Sequence, residues 1–177
     1  MAYDFVDVNG PLNRDNAAGL AAQVLYAPIS HFDAIQEPGA YSAAGDEVKI
    51  TTDHTFLVGK GFVALKFVVD SHALTASMPE GRDSSGYMAS LEGDVVAESE
   101  EEIAEVLRNL LTDDMLVLVK TAQGKYIQLG TKDFPAAIRQ TEDTTGSSVE
   151  GQNKQRVAIT ANQPKKLFYS GTVTLKP

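Results

Sequence analysis

The sequence predicts a mainly β fold, a β-sandwich or small barrel of antiparallel strands with one flanking α-helix over about residues 99–112. From residue 46 onward, apolar and polar residues alternate in short runs that are rich in β-branched side chains. Glycine-containing turns separate these runs, and a single stretch has its apolar residues at helical spacing. Hydrophobic residues make up 43% of the 177 residues, which is enough to bury a core.

The first 45 residues are predicted to be an extended or irregular N-terminal arm, and residues 46–177 are predicted to be the β domain. Turn-forming Gly, Pro, Asn and Asp residues recur at positions 9–16 and 37–39. Between them, Val24 to Tyr26 is predicted to be a short strand. So long a segment with little regular structure is unusual in a compact domain, and indicates either a flexible tail or an arm that packs on another molecule.

The first two strands of the domain are predicted to form a β-hairpin. The run from Val48 to Phe56 alternates apolar and polar residues, as in a half-buried strand. Gly-Lys-Gly at residues 59–61 interrupts this pattern, and a second alternating run follows over residues 62–69. Two such runs joined by a short glycine-containing link are typical of a hairpin.

Later runs predict the rest of the sheet. Met115 to Val119 is continuously apolar, which is typical of a central strand buried on both faces, and Tyr126 to Leu129 is its predicted hairpin partner. Pro135 predicts that the segment from Phe134 to Ile138 lies at a sheet edge. Further strands are predicted over residues 74–78, 87–96, 156–161 and 167–175, with exposed loops over 79–86 and 141–151.

One helix is specified by its N-terminal signals. Ser99 is followed three residues later by Glu102, which together make a capping box, and the neighbouring glutamates complement the helix dipole. Apolar residues then recur at helical spacing and form one stripe, at Ile103, Val106, Leu107, Leu110 and Leu111. A helix this short needs a sheet to lie on.

Charge is distributed unevenly along the chain, whose formal net charge is −9. Residues 91–120 hold nine acids and two bases, whereas residues 121–177 hold eight bases and four acids. An acidic chain repels phosphates, which makes it a poor candidate for tight binding of nucleic acid. The opposite charges of the two regions indicate either solvated surface charge or complementarity between copies of the chain.

No motif in the sequence indicates catalysis. The absence of cysteine excludes disulfides, thiolate catalysis and cysteine-bound zinc. The spacing of His31, His54 and His72 matches no metal-binding motif, and neither a nucleophile-elbow motif nor a phosphate-binding loop is present. We therefore expect no enzymatic activity, no cofactor and no bound metal.

Several short elements follow the helix in a distinctive order. They are MLVLVKTAQGKYIQLG at residues 115–130, DFPA at 133–136, TG at 145–146, GQNK at 151–154 and KLFYSG at 166–171. In this order, residues 46–175 resemble small virion structural proteins of tailed bacteriophages and prophages, most closely tail-tube or tube-like proteins. The matching elements fit a head-completion or neck subunit of the virion as well.

The resemblance implies a self-assembling structural protein, most closely a tail-tube subunit in rings that stack around a DNA-conducting lumen. The implied partners are further copies of the chain, other virion proteins and DNA in transient, non-specific passage, with no membrane. The implied location is the virion, after assembly in the bacterial host cytoplasm. A ring pairs strand edges that would otherwise be exposed, and an acidic lumen repels DNA.

A second class of function is a monomeric β-sandwich binding module for a carbohydrate or protein partner. Its candidate contacts are Tyr87, Phe168 and Tyr169, although core packing is the favoured role for each of them. Under the assembly hypothesis, the functional residues are instead candidate contacts with the lumen or with other subunits, for which ordinary surface charge is the alternative. These residues are Thr55, Lys60 and Lys66 in the predicted hairpin, and Lys154, Arg156, Lys165 and Lys166 in the C-terminal region.

Overall fold

A computed structural model of the protein describes residues 20–40, 42–68, 71–78, 86–95, 105, 108, 112–144 and 154–177. The described residues are mainly β, which confirms that part of the predicted fold class. Two 3₁₀ helices span Ile29–His31 and Asp46–Val48. The strands are β1 (Leu20–Pro28), β2 (Phe32–Ala34), β3 (Lys49–Ile50), β4 (Thr55–Phe56), β5 (Val63–Lys66), β6 (Ala73–Ser77), β7 (Tyr87–Val95), β8 (Met115–Thr121), β9 (Tyr126–Leu129), β10 (Ala136–Thr144), β11 (Lys154–Gln163) and β12 (Leu167–Tyr169).

Strand β8 lies at the centre of the main sheet. It pairs with β1 on one side and with β9 on the other, in both cases antiparallel. All five residues from Met115 to Val119 are fully buried, which confirms the prediction of a strand covered on both faces. The turn to β9 has Gly124 at φ +80°, a left-handed conformation that glycine adopts without strain.

The strands around β8 close into a small barrel. In order they are β5, β1, β8, β10, β11 and β7, and β10 joins β8 through the pair Ala136–Met115. The ends meet where Phe67 forms an antiparallel bridge with Val95. The side chains inside the barrel form the larger of the two cores, which includes Leu91, Val117 and Ile159. Burial of these apolar side chains is the main stabilising contribution to the fold.

A second core covers the opposite face of β1 and β8. Strand β12 runs antiparallel to β9 and parallel to β3, while β2 and β4 form a separate two-stranded sheet. The members of this core include Leu25, Phe62, Leu116, Leu118 and Tyr169. The two cores together explain why β8 is apolar at every position from Met115 to Val119.

The predicted hairpin between residues 48–56 and 62–69 is wrong. Strand β4 pairs with β2, and β5 pairs with β1. The reason is aromatic packing, because the ring of Phe56 lies 4.3 Å from that of Phe32, centroid to centroid, and 5.0 Å from that of Phe62. The alternating pattern therefore identified extended chain, but not the strand that pairs with it.

Three further expectations are corrected. The segment around Pro135 is not at an edge, because β10 lies between β8 and β11 and begins one residue after the proline. Residues 141–144, expected in a loop, continue β10. Strand β1 lies inside the segment expected to be irregular, and extends the strand predicted at Val24 to Tyr26 because both of its edges are paired.

Parts of the predicted organisation fall on residues that the structure does not describe. Glu105 and Arg108 are helical, while the rest of the predicted 99–112 helix, apart from Thr112 in a turn, lies outside the described residues. The same holds for residues 1–19, 79–85 and 145–153. Within the described residues, no helix combines the length and apolar character needed to cross a membrane.

Candidate functional site

Strand β6 forms one end of the main sheet. Its ladder with β7 runs from the pair Ala73–Glu92 to the pair Ser77–Met88. Among the described residues, β7 is its single strand partner, so its other edge presents backbone N–H and C=O groups without a ladder. Four of its five residues are exposed, and Leu74 alone packs on the barrel core. An edge of this kind is a template for pairing with a strand of another chain.

Within residues 71–78, the edge lacks the charged side chains, prolines and bulges that protect many edge strands. Residues 71–78 contain no Lys, Arg, Asp, Glu or Pro. Charged side chains, prolines and bulges are the usual means of preventing edge-to-edge pairing, and the β6–β7 register is regular throughout. We call the unpaired side of Ala73–Ser77 the β6 edge.

The start of β6 is fixed by contacts around His72. One ring nitrogen, Nε2, lies 3.1 Å from the carbonyl oxygen of Ala21, and the ring stacks on Phe67 with centroids 5.4 Å apart. The hydroxyl of Ser71 donates to the carbonyl oxygen of Val68 at 2.8 Å. These contacts hold the β6 edge in a fixed position relative to the barrel, and a preformed edge lowers the entropic cost of adding a strand.

Apolar side chains lie exposed beside the end of the β6 edge. Met78 is 73% exposed and Met88, which is paired with Ser77, is 48% exposed. A shallow depression of about 300 Å³ includes Met88, Phe134 and Pro164. Flexible thioether side chains adapt to varied partners, so this surface is suited to contact with another chain.

A buried polar network surrounds His54. The side chain of His54 is 3% exposed, and Nε2 lies 3.0 Å from Oε1 of Gln128. The Gln128 amide donates to the carbonyl oxygen of Gly130 at 3.0 Å, and the N–H of Gly130 donates to Oε1 of Gln163 at 2.8 Å. The Gln163 amide in turn donates to the carbonyl oxygens of Gln128 and Lys165. The network ties β9 to the ends of β11 and β12.

A cleft of about 230 Å³ opens beside this network. Three connecting segments form it, residues 36–38, 131–134 and 164–167, with Gln128 at its inner wall. Glu37 and Asp133 contribute carboxylates, and Lys165 contributes an ammonium group. The volume is below the usual range for drug-sized ligands, so the cleft suits a side chain or a small polar molecule.

The seven predicted contact residues lie on several elements and do not form one surface on a single strand pair. Thr55 and Lys66 are exposed on β4 and β5, and Lys60 lies in the connection between those strands. Lys154 begins β11, and its side chain is outside the described part of the chain. The other three residues are already engaged within the chain or line the cleft.

Arg156 forms an ion pair with Glu92 at 3.4 Å across β7 and β11, with both side chains about half exposed. The ammonium group of Lys166 lies 5.2 Å from the centre of the Phe168 ring. Lys165 lines the cleft. A half-exposed ion pair of this kind contributes little to stability.

Two of the aromatic residues proposed for a binding module are in the cores. Tyr87 is 4% exposed and Tyr169 is 2% exposed, while Phe168 is half-buried against the barrel core. Core packing, the favoured role for these residues, is therefore confirmed for Tyr87 and Tyr169. Within the described residues, no three His, Asp or Glu side chains converge as a metal site.

Sequence reasoning missed the β6 edge as a site, although it predicted the strand. The uncharged composition of residues 71–78 was the available signal. Sequence reasoning found no metal-binding motif at His54 and did not anticipate its buried network. Comparisons with protein-family models, with curated proteins and with solved structures gave no match.

Proposed function

We propose that this protein is a self-assembling structural component of a bacteriophage virion, most closely a tail-tube subunit that forms stacked rings around a DNA-conducting lumen. The single observation that carries the proposal is the β6 edge, which is preformed, has no charged side chain over residues 71–78, and has no strand partner on its outer side among the described residues. Natural monomeric proteins avoid such edges, whereas assemblies use them for strand addition.

Assembly into a closed ring is the favoured use of this edge. A contact between the β6 edge of one copy and a different surface of the next is heterologous, and heterologous contacts form a ring when the rotation closes. In a ring, every β6 edge is paired and none remains open to uncontrolled aggregation. The exposed Met78 and Met88 beside the edge add apolar area to the same contact.

The sequence supports the same proposal independently. Residues 46–175 resemble tail-tube and related virion proteins, and the acidic 91–120 region and basic 121–177 region are suited to pairing between copies. Other virion proteins are the proposed further partners, and DNA passes without specific binding. The proposed location is the virion, with assembly in the bacterial host cytoplasm.

The test is the oligomeric state of the purified protein and of a blocked edge variant. Analytical ultracentrifugation and negative-stain microscopy of the wild type are expected to show rings or tubes that increase with concentration. Thr75→Lys together with Ser77→Lys places two charges on the β6 edge and is expected to leave folded monomers. Circular dichroism checks that the variant is folded.

The matched control adds the same charges elsewhere. Thr51 and Thr52 are exposed in the connection after β3, which lies at the opposite end of the strand order from β6. Thr51→Lys with Thr52→Lys is therefore expected to assemble like the wild type. If the wild type stays monomeric at high concentration, the proposal is overturned. If both double variants assemble equally, the β6 edge is not the assembly contact.

The same experiment distinguishes two alternative functions from the tail-tube proposal. A head-completion or neck subunit would give single rings without tubes. A monomeric binding module for a carbohydrate or protein partner is favoured by one observation, the cleft between residues 36–38, 131–134 and 164–167. Monomers that bind an oligosaccharide or peptide, with loss of binding on Phe134→Ala, would support that module.

A further inference from the structure

We propose that His54 acts as a proton-sensitive latch, which holds residues 36–40 against the sheet when its imidazole is neutral and releases them when it is protonated. We call residues 36–40 the latch segment. The inference rests on the hydrogen bonds of the buried ring and is independent of the proposed virion function.

The hydrogen bonds determine which ring nitrogen of His54 carries the proton. The Gln128 amide nitrogen donates to the carbonyl oxygen of Gly130, so its Oε1 faces His54 and must accept. The Nε2 of His54 therefore carries the proton. The Nδ1 atom is left as an acceptor, and the backbone N–H of Gln36 donates to it at 3.0 Å. Both ring nitrogens are thus satisfied in the neutral form.

A second proton has no place in this arrangement. It would bind at Nδ1, where two N–H groups would then face each other, so the bond from Gln36 has to break. The ring itself is held firmly, because it stacks on Tyr169 with centroids 4.6 Å apart and meets the edge of Phe32 at 5.8 Å. The latch segment has no strand ladder, so it is the part that moves.

The groups around the ring favour the neutral form. Burial lowers the pKa of His54 below its usual 6.5, against smaller opposing effects of the Gln128 hydrogen bond and the Asp53 carboxylate. Asp53 is itself engaged, since it accepts from the N–H of Thr172 at 2.6 Å. The other titratable neighbour is Tyr169 on β12, whose hydroxyl donates to the carbonyl oxygen of Thr172. Phe32 on β2 and Gln128 on β9 are uncharged.

Opening of the latch also changes the cleft. Gln36, Glu37 and Pro38 form one wall of it, and Gln128, which binds Nε2 of His54, forms the inner wall. Protonation of His54 therefore changes the shape of the cleft, although His54 itself need not contact a ligand bound there.

The test combines two nuclear magnetic resonance measurements on the full-length wild type. Histidine side-chain spectra are expected to show His54 as the neutral Nε2–H form at neutral pH. The second measurement is hydrogen exchange of the Gln36 amide, corrected for its intrinsic pH dependence. As the pH falls from 6.5 toward the lowered pKa of His54 in the closed state, the protection of this amide is expected to decrease about tenfold per pH unit.

Two variants distinguish opening caused by protonation of His54 from other effects of low pH on the protein. His54→Asn keeps an oxygen acceptor near the position of Nδ1 and does not titrate, so Gln36 protection is expected to be independent of pH. His31→Asn removes a different histidine and is expected to leave the wild-type pH dependence. An Nδ1–H form of His54, or Gln36 protection that is constant across the titration of His54, overturns the proposal. The wild-type measurement decides this even if His54→Asn does not fold.

Discussion

Phe67, directly after β5, and Val95, at the end of β7, form the antiparallel bridge that closes the barrel. The N–H of Val68 donates to the carbonyl oxygen of Asp94 at 2.8 Å beside this bridge. The two strands approach closely there because residue 93 is glycine. An added Cβ at Gly93 would lie 2.6 Å from the Cδ1 atom of Phe67 and 2.6 Å from the Cβ atom of His72.

Replacement of this glycine tests the closure of the barrel. Gly93→Ala forces the Phe67 ring and the start of β6 away from β7, and we expect a loss of about 1–3 kcal/mol in the free energy of unfolding. Urea denaturation measures it. Gly39→Ala is the matched control, because an added Cβ there meets no atom within 4 Å, and a change within about 0.5 kcal/mol is expected. Equal effects of the two variants would contradict the close approach.

The buried network makes a second prediction about stability. Gln163→Leu leaves the buried N–H of Gly130 without its acceptor and removes the donor to the carbonyl oxygens of Gln128 and Lys165. A buried polar group without a partner costs about 1–3 kcal/mol, and we expect a loss in that range. Asn162→Leu changes the exposed neighbour on β11 and is expected to have little effect. A Gln163→Leu protein as stable as the wild type would show that the network is not required.

Charge reversal tests pairing between copies of the chain. Lys165→Glu with Lys166→Glu reverses one charge at the cleft and one over the Phe168 ring, and is expected to weaken assembly, with a greater effect at low salt. The same reversal at Lys49 and Lys125, which are also exposed, is expected to leave assembly unchanged. Sedimentation velocity at two salt concentrations compares the variants. Unchanged assembly of the Lys165 and Lys166 variant removes charge pairing at these residues from the proposal.

Local sequence patterns correctly predicted those strands in which the burial of side chains follows a regular pattern. In β7, alternate residues from Tyr87 to Val95 are buried, as a period of two requires. In β8, five consecutive apolar residues gave the correct prediction of burial on both faces. The turn between β8 and β9 followed from Gly124, whose left-handed conformation few other residues adopt readily.

The features that local patterns missed depend on contacts with residues that are distant in the sequence. Gln128 and the Tyr169 hydroxyl, which bind His54, are 74 and 115 positions away in the chain, and nothing in residues 48–56 indicates either. The same reason explains the wrong hairpin, since the partner of Phe56 is Phe32 on β2. The pattern of a strand also does not reveal how many other strands pair with it. The pattern of residues 74–78 therefore predicted β6 but did not identify its open edge.

The buried tyrosines predict that the fold loses stability in alkali. Burial raises the pKa of Tyr26, Tyr87 and Tyr169 above the usual 10.0. Above pH 10.0 the unfolded chain releases protons that the folded chain retains, so the free energy of unfolding falls as pH rises, by up to about 1.4 kcal/mol per pH unit for each tyrosine. Urea denaturation across this range, followed with tyrosinate absorbance, measures the slope. Tyr87→Phe removes one contribution and is expected to reduce the slope, and an unchanged slope would exclude Tyr87 as a source.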